Sequence, residues 1–244
     1  MRWWIWTDGC TDIDGLGTLL YDGDLVEIPP PVLGGQEGSL AVFKVLGRKE
    51  FNRFFWMNEP EHSLTEDRLV VHSRPDTDFW QRTHYGVRRD NGHVYCTEID
   101  YDFKMSVKTI FHPKKQYDQC GLIVLGDSEN WIKTSVEFET PKLSRLGSVV
   151  TNYGYSDWAT MDLHTGLSVM WYCIQRRGMD FMIEYSADGS EWSQMRVTHL
   201  HQASSPLRIG IYACSPNTSS FVSEFESFSI EKAEWGLTGH NSQP

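Results

Sequence analysis

From Phe51 onward the chain sets apolar against polar residues in short alternating runs. Turn residues interrupt these runs about every 8–12 positions. Thr97 to Phe111, TEIDYDFKMSVKTIF, is the clearest case, with Ile99, Tyr101, Phe103, Met105 and Val107 on one side and Asp100, Asp102, Lys104 and Lys108 on the other. Successive side chains of a strand point to opposite faces, so this spacing predicts a sheet with one buried face. Further strands are expected at Arg68–His72, Gly121–Leu125, Trp131–Glu139, Gly147–Asn152, Leu167–Arg176, Asp180–Ser186, Trp192–Val197, Leu207–Ala213 and Phe221–Glu231. Turns follow from Gly126–Asn130, Arg177-Gly178 and Ala187–Ser190. No long stretch carries the 3.6-residue apolar period of a packed helix. The expectation is an all-β chain, two antiparallel sheets in a sandwich or barrel, with few, short helices.

Residues 1–48 read differently. Asp14-Gly15, Asp22-Gly23, Gly34-Gly35 and Pro29-Pro30-Pro31 leave only short apolar runs there. They suggest an irregular extension, free to pack on a main β domain at 49–235, with a loose tail at 236–244. Asp12-x-Asp14-Gly15 has the look of a calcium loop. However, Cys10 stands at its first ligand position and Tyr21 at its closing glutamate, which excludes an EF-hand.

The formal charge of −11 opposes a nucleic-acid backbone or an anionic membrane as partner, since both need a basic face. No window approaches the roughly 18 apolar residues of a spanning helix. The five cysteines, 10, 96, 120, 173 and 214, are scattered without a C-x-x-C pair and read as buried reduced thiols of a cytoplasmic protein. No metal or other cofactor is expected: His199-x-His201 has no third ligand nearby and reads as a solvent-facing strand.

Pro75 to Tyr95, PDTDFWQRTHYGVRRDNGHVY, concentrates planar aromatics, fixed positive charge and hydrogen-bonding groups. A connector needs only turn residues and solubility. The stretch is read as one wall of a binding cleft; the alternative is an ion-paired loop pinning one sheet to another.

Several phrases in one order carry a resemblance. They are Phe55-Trp56-Met57-Asn58-Glu59-Pro60, Thr77 to Gly86 (TDFWQRTHYG), Tyr117-Asp118-Gln119-Cys120-Gly121-Leu122, Asn130-Trp131-Ile132-Lys133 and Val150 to Trp158. Together they resemble the uncharacterised domain family typified by the fungal "regulation of enolase" protein, over about residues 51–231. The resemblance implies a jelly roll of the concanavalin-like lectin and glucanase kind, whose concave face commonly holds the ligand. Cys120 and Thr134-Ser135 depart from the Ala and Ala-Gly expected there, a change in packing more than in chemistry.

On Trp131–Glu139, Ile132, Thr134, Val136 and Phe138 belong in the core, so Trp131, Lys133, Ser135, Glu137 and Glu139 point outward. Lys133 and Glu137 are the candidate proton-transfer residues. A lysine there needs a carboxylate from Asp78, Asp90 or Asp157, or a ligand anion, to meet it. Candidate ligand-binding residues are Asp78, Trp80, Arg82, His84, Tyr85, Arg88 and Asp90 on that wall, with Gln119, Trp131, Asn152, Tyr155, Asp157 and Trp158 from later in the chain. The leading expectation is a small carbohydrate or related polar ligand. A cytosolic metabolic regulator acting through a protein partner is the alternative. A glycoside hydrolase or lyase is the third reading, because glycosidases need two carboxylates roughly 5–10 Å apart.

Overall fold

The computed structural model describes residues 54–65, 67–163, 167–202, 206–217 and 220–235, and three strands before them. In chain order the strands are β1 (Thr18–Tyr21), β2 (Asp24–Glu27), β3 (Phe43–Val45), β4 (Phe55–Met57), β5 (Glu61–Leu64), β6 (Leu69–His72), β7 (Phe79–Gln81), β8 (Arg88–Asp90), β9 (His93–Ile99) and β10 (Phe103–His112). They continue as β11 (Gln119–Leu125), β12 (Trp131–Thr140), β13 (Leu143–Asn152), β14 (Tyr155–Leu163), β15 (Val169–Arg177), β16 (Asp180–Ser186), β17 (Ser193–His199), β18 (Leu207–Cys214) and β19 (Val222–Lys232). No helix occurs among the described residues. Cys10, Asp12, Asp14 and the expected tail at 236–244 lie outside the described residues, as does most of the expected extension.

Two large sheets form a jelly-roll sandwich. One has the order β17-β16-β15-β10-β19-β6-β5, and the other β14-β13-β12-β11-β18-β9-β4. All neighbours in both are antiparallel except β3, which pairs parallel with β19 through Phe43↔Phe228 to Val45↔Ile230. Between the sheets lies one apolar core to which alternate positions contribute: Phe103, Met105 and Val107 from β10, Leu122 and Val124 from β11, Ile132 and Val136 from β12. Phe138, expected in the same row, is only half-buried, because the β12–β13 register slips between Phe138 and Thr140.

Two expectations need correction. The run Thr97–Phe111 is two strands, not one: it breaks at 100–102, and β9 and β10 belong to opposite sheets. The alternation survives the corner, with Ile99 and Phe103 both buried in the shared core. The second concerns β14, absent from the expected strands; it extends the seven-stranded sheet through the turn Tyr153-Gly154. The β15–β16 turn falls on Gly178-Met179, one residue later than expected, and Gly178 takes the positive φ of 62° that a two-residue hairpin needs at its first position.

The seven-stranded sheet is buried on its outer face as well. There Ile123, Trp131, Val149 and Tyr212 form a second cluster beneath the small hairpin β7–β8, whose Phe79 packs edge-on against Trp131 and Tyr212. Gly92, at the foot of this hairpin, must lack a side chain, because a Cβ would fall 2.3 Å from the Phe79 ring and 2.5 Å from the Cys214 sulfur. Cys96, Cys120, Cys173 and Cys214 are all buried free thiols, and burial pushes the Cys96 thiol up to about 12. Removing a fully buried ring leaves a cavity as well as lost transfer energy, so Phe103→Ala is expected to cost about 3–5 kcal/mol in urea denaturation. Tyr155→Ala, at a 62% exposed position, should stay within about 0.5 kcal/mol of wild type in the same assay.

Candidate functional site

Alternation on β12 turns Trp131, Lys133, Ser135 and Glu137 to the outer face, and register lines them up with neighbours across the sheet. Lys133 stands beside Ile123 and Val149, and Glu137 beside Gln119 and Arg145. The β7–β8 hairpin roofs this face and encloses a cavity of about 220 Å³. Its floor is Gln119, Lys133, Glu137 and Val149. Its walls are Asp78, Trp80, Tyr85 and Val87 on one side, Trp158 on another, and Arg89, Tyr117, Pro216 and Asn217 at the remaining edge. A second, more open groove shares Trp80, Tyr85 and Trp158 and adds Thr83, His84, Ser156 and Asp157.

The aromatic wall is fixed internally. The Trp80 indole donates to the Thr83 carbonyl at 2.8 Å, and its ring meets Tyr85 and Trp158 edge-on, with centroids 5.4 and 6.4 Å away. Asp78 is held by the hairpin base: its amide donates to Asn91 Oδ1, and its carbonyl accepts from the Asn91 and Gly92 amides.

Lys133 has a side chain only 4% exposed. Its ammonium donates to the Phe79 carbonyl at 2.8 Å and lies 3.5 Å from Asp78 Oδ1. Of the three aspartates that could meet this lysine, Asp78 does so. Lys133 is therefore a strut as much as a site residue: it ties β12 to the hairpin above it. Glu137 accepts from Gln119 Nε2 at 2.7 Å, while Gln119 Oε1 accepts from the Tyr212 hydroxyl at 3.1 Å. The Gln119 side chain is thus oriented from both ends. Burial pushes the Glu137 carboxyl up to about 8, assisted by Asp78 and Glu139 and opposed by Lys133 and Arg145. Glu137 is partly buried and opens onto the cavity, and desolvation there favours the protonated form.

The structure gathers Asp78, Trp80, Tyr85, Gln119, Lys133, Glu137 and Trp158 around the cavity, and places His84 and Asp157 at the outer groove. The other candidates need correction. Trp131 is fully buried and lines neither space, because Phe79 covers it. Arg82 and Arg88 both pair with Glu129, at 2.7 and 2.9 Å, and Arg82 also donates to the Gly154 carbonyl. They brace the roof against the β11–β12 turn, Arg82 also against the β13–β14 turn, and line neither space. Asn152 spans to β17 and beyond, donating to the His199 carbonyl and accepting from the His201 amide. Tyr155 is exposed beneath the Arg82 guanidinium, and Asp90 is exposed on β8. Asp157 also pairs with Arg196 at 2.9 Å.

Sequence reasoning omitted Val87, Arg89, Tyr117, Val149, Pro216 and Asn217 of the cavity lining. Arg89 and Val87 lay inside the stretch already singled out; a hairpin centred on Thr83–Gly86 would have put Arg89 opposite Trp80, as it is. His199 pairs with Asp180 at 2.6 Å, and among the described residues no three His, Cys, Asp or Glu side chains gather as a metal site.

Comparison with known proteins follows the same boundaries. Residues 56–233 match the model of a family described as a protein of unknown function, DUF1349. "Regulation of enolase protein 1" of Saccharomyces cerevisiae is 28% identical over 190 residues, spanning 78% of this chain and 91% of that protein. A solved structure of a functionally unknown S. cerevisiae protein superposes with a TM-score of 0.69 at 27% identity, over 75% of this chain and 97% of that one. A GH43 protein of Bacillus licheniformis superposes at 0.54 with 16% identity, over 76% of this chain and 40% of that one, a likeness of fold alone.

Removing the ammonium strands the Phe79 carbonyl and the Asp78 carboxylate, so Lys133→Met should lose about 1.5–3 kcal/mol of stability in denaturant titration. Glu137 gives a pH signature. Its pKa is higher folded, about 8, than its ordinary 4.5, so its contribution to stability is complete below about 4.5 and is lost as pH rises through about 8. The melting temperature of Glu137→Gln should accordingly gain on wild type across that window and run parallel to it above.

Proposed function

We propose that this chain, which belongs to the DUF1349 family, recognises a small sugar or the end of a glycan in the cavity between β12 and the β7–β8 hairpin. The observation that carries this reading is the pairing of surfaces in one enclosed space. Trp80, Trp158, Tyr85 and Tyr117 offer ring faces and edges, while Asp78, Gln119, Glu137 and Asn217 converge with acceptors and donors. A sugar ring has an apolar face of C–H groups and a rim of hydroxyls, and it needs both kinds of partner at once. The volume suits one ring, being below the 300–1,000 Å³ usual for drug-sized ligands. The adjoining groove past His84 and Asp157 gives a second ring room to continue.

The alternative is a regulator that contacts a protein, in keeping with the name of the yeast relative. It is favoured by Tyr85 and Val87, both large, exposed and lining the cavity. A concave cavity lined by both aromatic and polar side chains favours the small ligand, and the two readings are compatible if the ligand governs the contact. Four buried, unpaired thiols support a reducing, cytoplasmic setting.

The test is a thermal-shift screen of mono- and disaccharides, followed by calorimetric titration. A binding sugar should raise the melting temperature once its concentration passes Kd. Trp158→Ala should weaken that binding by at least about ten-fold, from lost ring contact. A screen with no sugar shifting the melting temperature at millimolar concentration would leave the protein-contact reading in its place.

A further inference from the structure

We infer that the ligand carries one anionic group, a carboxylate or a phosphate monoester, which the Arg89 guanidinium receives at the edge of the cavity. This rests on the sugar-site reading for where the ligand sits, and goes beyond it in naming the ligand's charge.

Arg89 is the cavity's unspent cation. It is half-buried on β8, opposite Trp80, and among the described residues its hydrogen bonding is a single long contact, 3.4 Å, to the Pro216 carbonyl. A guanidinium has five N–H donors in a planar fork that matches a carboxylate or phosphate edge. The two other arginines of the same hairpin, Arg82 and Arg88, share Glu129, and Arg196 at the outer groove holds Asp157. Arg89 has no carboxylate within ion-pair distance among the described residues, although the chain has eleven more acidic than basic side chains.

The remaining charges of the cavity point the same way. Lys133 and Asp78 face each other at 3.5 Å and cancel. That leaves Arg89 and Glu137. Burial favours the protonated form of Glu137, which therefore offers Arg89 little counter-charge. A protonated Glu137 also changes from acceptor to donor, suited to an anionic or carbonyl oxygen. A neutral ligand would leave the half-desolvated Arg89 unmatched; an anionic one compensates it.

The experiment titrates the full chain calorimetrically with four ligands: glucose, galacturonate, glucuronate and glucose 6-phosphate. The inference expects the acids to bind about ten- to hundred-fold more tightly than glucose, the worth of a charge-assisted hydrogen-bonded pair. The uronates against the phosphate distinguish the two sources of charge. Arg89→Gln should remove the advantage of the acids while leaving the ligand-free melting temperature in place, and Arg89→Lys should restore part of it. Acetate and inorganic phosphate are run alongside. Neutral and acidic sugars binding equally, or Arg89→Gln binding acids as wild type does, overturns the inference and leaves the sugar site standing. Acids binding with no preference for the sugar ring over acetate or inorganic phosphate keeps the anion pocket and removes the sugar reading. No binding by any of these compounds at millimolar concentration overturns both.

Discussion

A single lysine ammonium governs how the outer face of the seven-stranded sheet is built. Lys133 lies among Trp131, Tyr212 and Phe79, where an unpaired cation would cost several kcal/mol. It is compensated three ways: by the Phe79 carbonyl at 2.8 Å, by Asp78 at 3.5 Å, and by the ring faces of Trp131 and Tyr212 at 5.9 and 5.7 Å. Two of those partners belong to the β7 segment. Satisfying the lysine therefore fixes where the hairpin lies, and the hairpin in turn creates an enclosed cavity from what would otherwise be an open strand face.

The same enclosure sets the chemistry of Glu137. It sits four residues beyond Lys133 on the same face, about 13 Å along the strand, too far for a direct pair. Its one hydrogen-bond donor, Gln119, is a neutral amide whose orientation the Tyr212 hydroxyl dictates. A neutral donor offsets less of the desolvation cost than a cation does, so the carboxyl retains its proton. Asp78, by contrast, lies 3.5 Å from the ammonium.

The sandwich was legible because period-two alternation is a local property, and each strand of the core carries it without help from its neighbours. The site was legible only in part. The run Cys120-Gly121-Leu122-Ile123-Val124-Leu125 is apolar at every position, the mark of a strand buried on both faces, and it foreshadowed the roof over the outer face. Without that step Trp131 looked like a platform for a ligand, although Phe79 takes its ring. The roles of the arginines were harder still. Arg82, Arg88 and Arg89 lie within eight residues, and nothing in their spacing says that Glu129, forty residues on, claims the first two and leaves the third. That depends on long-range packing, to which local pattern is blind.

The bracing by Arg82 and Arg88 has a further role in the shape of the cavity. Arg82 and His84 adopt positive φ angles of 56° and 61°, and Tyr117 and Tyr153 do likewise at 74° and 51°. Such conformations cost a residue with a side chain about 1–3 kcal/mol each and persist only where surroundings over-determine them. Here the surroundings are known: Arg82 is clamped to Glu129 and the Gly154 carbonyl, and Gly154 itself has φ of 73° and no room for a Cβ, which would fall 1.7 Å from the Arg82 guanidinium. The strained loop and the turn facing it lock each other. Because Trp80 donates to Thr83 within this loop, the lock also fixes the ring that divides the cavity from the outer groove. A wall ordered before binding spares the ligand the entropy of ordering it, so more of the contact energy is available as affinity. The ion pairs beside the cavity therefore hold its wall in place without lining it.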